Sequence, residues 1–189
     1  MLRALLAALA LSLGMTAYAA ENDNPVVVME TSKGTVIIEL WQDQAPITVE
    51  NFLRYVDNKL YDNLTFHRVI PGFMIQGGGF NSNFVEMSGY PPIKNEARPS
   101  LRNDKGTLAM ARTGVVDSAT SQFFINLIDN DFLNQRGTSP QDYGYAVFGK
   151  VIEGMDVVES IAMVPTTNFR QHQNVPTDPV LIHSIVRKQ

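Results

Sequence analysis

Past its first two dozen residues the chain sets most of its hydrophobic positions in short β-branched runs, each closed by turn chemistry. Val26–Met29 is the first such run, Thr31-Ser32-Lys33-Gly34 is a turn, and Thr35–Trp41 follows, so the pair predicts a hairpin. The period then changes. After Ala45-Pro46, with proline tolerated in a first helical turn, Val49, Phe52, Leu53 and Val56 recur at i, i+3, i+4 and i+7, the stripe of a helix facing a core. Phe66–Gly79 predicts two strands around Pro71-Gly72, and the polar, proline-bearing Asn81–Pro99 predicts a long surface excursion. Gly106–Ala111, Phe123–Leu127 and Tyr145–Ile152 are further short strands. Gly154–Ala162 predicts a short helix with Met155, Val158 and Ile161 inward; Pro165–Pro179 predicts loop, and Val180–Val186 a closing strand. Many short strands, two helices and no βαβ alternation argue a mainly-β fold, a closed antiparallel barrel capped by helices.

The N-terminus reads differently. MLRALLAALALSLGMTAYAA carries a cation at Arg3, an apolar run from Ala4 to Leu13, and an A-x-A site at Ala17-Tyr18-Ala19. Residues 1–19 therefore read as a signal peptide and 20–189 as one mature domain. The apolar run is about half of the ~20 residues that a membrane span needs, so no stable membrane insertion is expected once the signal is removed. The chain has no cysteine, which excludes disulfides, thiolate catalysis and cysteine metal sites. Export without cysteine points to a bacterial periplasm. Net charge is −4 and no Lys/Arg cluster occurs, so a nucleic-acid partner is not expected.

Candidate chemistry concentrates in FHRVIPGFMIQGGG, Phe66 to Gly79, where Arg68 and Gln76 stand among large apolar side chains. Three histidines, His67, His172 and His183, lack any zinc-ligand spacing, and His67 reads as a structural hydrogen-bonding residue rather than a base. No serine sits in a G-x-S-x-G elbow, and Gly77-Gly78-Gly79 lacks the residues of a phosphate loop; these glycines read as room for a tight turn or a close backbone approach. An arginine and an amide beside an apolar surface supply no nucleophile. They can bind an apolar ring and place a cation near an amide, as X-Pro bonds would need. An arginine lying over apolar neighbours at an exposed strand edge accounts for the same residues, and the residues alone leave both readings open. Register matters here: a two-residue turn at Pro71-Gly72 would set Arg68 opposite Ile75, so an Arg68–Gln76 contact requires a longer or bulged connection.

The run Phe66–Gly78 resembles the signature of the cyclophilins, cyclosporin-sensitive peptidyl-prolyl cis–trans isomerases. Gly106–Thr113, Ser118–Ile125 and Tyr145–Val151 resemble further blocks of that family, in its order. With Pro92–Ala97 and the signal peptide, the chain is most similar to periplasmic cyclophilins of Gram-negative bacteria. The resemblance implies an eight-stranded barrel with a filled interior, two capping helices and a site on the outer face. It implies Arg68 as the catalytic cation with Gln76 beside it, and Phe73, Met74, Phe124 and Leu133 as the proline pocket. Ala111, Arg112, Thr113 and Gln122 would line the groove for residues before the proline. Phe132 stands where many relatives carry tryptophan and lacks the indole N–H, so weak cyclosporin binding is expected; Tyr145 stands where many carry histidine and can still donate through its hydroxyl. Arg112 adds a second positive charge, either a preference for acidic residues before proline or a surface feature. No metal or cofactor is implied; the expected partners are proline-containing segments of exported proteins, and the expected state is a monomer. The rival readings are a proline-peptide-binding chaperone without essential turnover and a structural surface protein.

Overall fold

A computed structural model describes residues 24–189; the expected signal peptide and the expected start at Ala20 lie outside them. The first hairpin forms as its pattern dictates. Strands β1 (Val26–Thr31) and β2 (Gly34–Leu40) pair from Val26 opposite Glu39 to Thr31 opposite Gly34, burying alternate side chains. Next comes helix α1 (Pro46–Asp57), whose Val49, Phe52, Leu53 and Val56 are all buried. Ala45 at its N-cap makes no side-chain cap. Glu96 does so from afar, its carboxylate accepting the backbone N–H groups of Ile47 and Thr48 at 3.2 and 2.7 Å and the Thr48 hydroxyl at 2.7 Å. A negative charge there satisfies orphan donors and is attracted by the positive end of the helix dipole. The excursion is therefore only partly superficial: Asn95 and Ala97 beside Glu96 are buried.

Strands β3 (Leu64–Ile70), β4 (Met74–Asn81), β5 (Thr107–Met110), β6 (Phe123–Asn126) and β7 (Val147–Glu153) follow, then helix α2 (Met155–Ala162). The chain ends with β8 (Thr166–Phe169), β9 (His172–Pro176) and β10 (Leu181–Arg187). Eight of the ten strands close an antiparallel barrel in the order β1-β10-β3-β4-β6-β5-β7-β2. Its interior is filled. Phe52 descends from α1 to meet Tyr61, Phe123 and Phe148 at centroid distances of 5.1, 5.5 and 5.2 Å. Each ring is buried, and a side chain of this size contributes roughly 1.5–3 kcal/mol on leaving water. With the inside occupied by side chains, binding is left to the outer face.

The expectation of loop over Pro165–Pro179 was wrong. A second, two-stranded sheet forms there from β8 and β9. Every residue of β8 is exposed, so it lacks the apolar alternation by which a strand is recognised. Aromatic contacts hold it to the barrel instead: the rings of Phe84 and Phe169 lie 4.9 Å apart, and His172 lies 5.1 Å from both Phe80 and Phe84.

Candidate active site

The site begins with the turn between β3 and β4. Its connection has three residues, Pro71 to Phe73, so that Ile70 pairs with Met74, Val69 with Ile75 and Arg68 with Gln76. Directly paired side chains share a face, and Arg68 Nη1 donates to Gln76 Oε1 at 3.3 Å. The longer connection that this contact requires is therefore present. Gln76 Nε2 in turn donates to Gln122 Oε1 at 2.9 Å. Gly79 makes room for that last side chain, since a Cβ on it would fall 2.6 Å from Gln122. Gly78 takes φ +81° where the β3–β4 register slips, a conformation that a side chain would strain.

Beside this polar row is a cavity of about 230 Å³. Arg68, Phe73, Met74, Gln76, Ala111, Arg112, Phe124, Leu133 and Tyr145 line it, all of them sequence-predicted site residues. Adjacent strands supply the floor, because Met74, Gln76 and Phe124 lie on β4 and β6, which pair with each other. Leu133 comes from the 3₁₀ turn Asp131–Leu133, and Tyr145 packs edge-on against Phe124 at 5.6 Å. Arg68 is half-buried, and no carboxylate pairs with it among the described residues. Its charge therefore remains available at the rim of an apolar hollow.

Three predicted residues stand apart from the cavity. Phe132 is 59% exposed and stacks on Phe73 at 5.5 Å, extending the apolar wall outward. Gln122 acts on the cavity through Gln76. Thr113 is turned into a local loop, its N–H and hydroxyl both meeting the Ser118 hydroxyl at 2.9 Å.

Arg112 is used within the fold. Its guanidinium donates to the carbonyls of Gly144, Thr113 and Pro140 at 3.0, 2.9 and 2.8 Å and lies 5.0 Å from the Tyr145 ring centre. A planar fork meeting three carbonyls ties the Asn134–Gly144 loop to the end of β5.

Sequence reasoning missed a row of buried asparagines behind the pocket. Asn130 Nδ2 donates to the Phe73 carbonyl at 3.0 Å and to Asn126 Oδ1 at 2.8 Å. Asn126 Nδ2 donates to the Thr107 hydroxyl at 2.9 Å, and Asn134 Oδ1 accepts the Asn103 N–H at 2.7 Å. These bonds brace the backbone that presents Phe73 and Leu133. Asn-rich stretches read as turns, and burial is not visible in them.

His67, next to Arg68 but on the opposite face of β3, is buried, and its Nδ1 has no hydrogen-bond partner among the described residues. Burial lowers its pKa from 6.5 to about 4, helped by His172 and Arg68, while the Thr65 backbone and the Gln122 side chain act the other way. The ring is therefore neutral near pH 7.

A filled antiparallel barrel with an outer apolar hollow and, at its rim, the Arg68 guanidinium braced by an amide has well-defined relatives. Residues 26–187 match the family model described as cyclophilin type peptidyl-prolyl cis-trans isomerase/CLD. The chain is 58% identical over 162 residues to a peptidyl-prolyl cis-trans isomerase of Acinetobacter baylyi, covering 86% of this chain and 85% of that one. It is 47% identical to peptidyl-prolyl cis-trans isomerase A of Dickeya dadantii over the full length of both. Among solved structures, a cyclophilin-type isomerase of Cryptosporidium parvum, crystallised in the presence of the dipeptide Ala-Pro, superposes with a TM-score of 0.72 at 28% identity, covering 87% of this chain and 99% of that one. The chain belongs to the cyclophilin-type peptidyl-prolyl cis-trans isomerases. Its activity is accordingly the interconversion of X-Pro peptide bonds.

Proposed function

We propose that this isomerase works without a covalent step, through Arg68 and the cavity beside it, on proline-containing segments of exported proteins as they fold. The proline ring enters the hollow formed by Phe73, Met74, Phe124 and Leu133. The guanidinium of Arg68, held by Gln76, then faces the prolyl amide. Rotation about that bond is opposed by its partial double-bond character, with a barrier of ~18–20 kcal/mol. A hydrogen bond directed at the prolyl nitrogen in the twisted state localises its lone pair and weakens the resonance. The residues before the proline lie along Ala111 and turn while the ring is held.

The magnitude is reasonable. Uncatalysed isomerisation takes tens to hundreds of seconds, and ordinary turnover is ~1–10³ s⁻¹, a gap of roughly 2–7 kcal/mol. One preplaced charged donor together with orientation supplies that much. The observation that carries this reading is Arg68 itself: a guanidinium braced by a neutral amide, unneutralised by any carboxylate among the described residues, at the edge of an apolar cavity. Arg68→Ala should lower kcat/KM toward a proline tetrapeptide about 10²–10³-fold while the peptide still binds. Unchanged turnover with retained binding would refute the role given to Arg68.

Export rests on the leader at residues 1–19 and on the absence of cysteine. Sequencing the protein recovered from a periplasmic fraction should find Ala20 first; an intact Met1 would end that reading. Phe132 offers an apolar face and no N–H, which supports weak binding of cyclosporin.

A further inference from the structure

Beyond Arg68 and Gln76, away from Ala111, a second cleft of about 400 Å³ opens between β3 and the β8–β9 hairpin. Arg68 and Gln76 line both hollows, so the two adjoin at that polar pair. The rest of the second lining is different in kind: Gln122, Gln171, His172 and Gln173, over His67 and Phe80. Among these described residues there is no carboxylate and no aliphatic side chain. Each glutamine amide offers donors and an acceptor, as a peptide unit does.

The hairpin is built to hold its place. Arg170 takes φ 53° at its tip, and Asn174 takes φ 58° where the β8–β9 register slips by one residue. His172 is clamped between Phe80 and Phe84, which sets Gln171 and Gln173 on either side of it, both exposed. The strands run in the order β5-β6-β4-β3 along the barrel, and on the proposed reading the residues before the proline lie along Ala111, next to the β5 end. Residues after it then leave over β4 and β3 toward β9.

We propose that the cleft between β3 and the β8–β9 hairpin is a subsite for the two to four residues that follow the proline, recognising main-chain amides and uncharged polar side chains through Gln171 and Gln173. This rests on the Arg68-centred reading of the proline pocket. An extended chain advances ~3.3 Å per residue, so a tetrapeptide ending one residue after proline does not span the cleft. A neutral His67 suits an amide-reading surface, because it adds no charge beneath it.

The test compares two substrates by NMR exchange spectroscopy: a tetrapeptide with one residue after proline, and the same peptide extended by four Ser/Asn/Gln residues at its C-terminus. One or two net hydrogen bonds should lower KM for the longer peptide about three- to tenfold. The double variant Gln171→Ala/Gln173→Ala should abolish that gain and leave tetrapeptide turnover unchanged. Amide shifts over residues 166–176 should move with the long peptide alone. A gain that survives in the double variant, or one that arises from N-terminal extension instead, would overturn the proposal. Loss of tetrapeptide turnover in Arg68→Ala is read separately, so failure of the cleft and failure of the proline pocket give distinguishable results.

Discussion

Arg68 and His67 are neighbours in sequence with opposite fates, because successive side chains on a strand point to opposite faces. Arg68 emerges at the groove, half-buried and held by Gln76, whereas His67 is enclosed and kept neutral. The enclosure has a thermodynamic consequence. An unfolded chain protonates this histidine near pH 6.5, whereas the folded protein resists until about pH 4, with burial the leading cause. Stability from this group is fully present above pH 6.5 and is lost as pH falls toward 4, by about 3 kcal/mol at most. His67→Gln should flatten the dependence of unfolding free energy on pH between 6.5 and 4, measured by denaturant titration. Equal slopes in the two proteins would exclude His67 as the source. At this scale the sequence was informative about the Arg68–Gln76 contact, which it tied to a longer or bulged connection, while the residue types left an amide-directed cation and a surface arginine both open. The sequence marked His67 as a structural residue but not as an enclosed one with an unpartnered Nδ1, since nothing in the letters F-H-R tells which face of a strand is enclosed.

Elements carry the next level of control. Arg112 links the end of β5 to the Asn134–Gly144 loop through two carbonyls, those of Gly144 and Pro140, and steadies Tyr145, which lines the cavity proposed for proline. The charge that the sequence offered for acidic substrates thus has a structural occupation. Arg112→Ala should release the loop and raise KM for a tetrapeptide roughly three- to tenfold, with kcat little changed. Hydrogen exchange of amides 134–144 should quicken in the same variant. Arg112→Lys should restore only part of the loss, since an ammonium cannot meet three fixed carbonyls as a planar fork does. Unaltered exchange in Arg112→Ala would show that the loop stands without this latch. Elements with a buried face were legible from pattern: α1 and the β1–β2 hairpin lie where periodicity placed them. The β8–β9 hairpin was not. Its hold on the barrel comes from Phe169, His172, Phe80 and Phe84 meeting across 85 to 92 residues of chain, a relation no local period expresses.

At the scale of the molecule, one asymmetry organises the rest. The barrel interior belongs to Phe52, Tyr61, Phe123 and Phe148, and the cavity proposed for proline lies on the outer wall. The closed barrel with two helices was foreseeable from many short strands and two amphipathic segments. The filling of its interior followed from the family resemblance rather than from the pattern. The buried asparagines that brace Phe73 escaped both, because polar residues in turn-like sequence carry no mark of enclosure.

The placement of the hollow on an outer wall also decides which prolines can be reached. On the proposed reading a bound chain crosses neighbouring strands from Ala111 toward Gln171, a path that requires neither a free amino end nor a free carboxyl end. A polypeptide anchored at both extremities, or still engaged elsewhere along its length, can lay a mid-chain proline on this surface and lift it off again without threading.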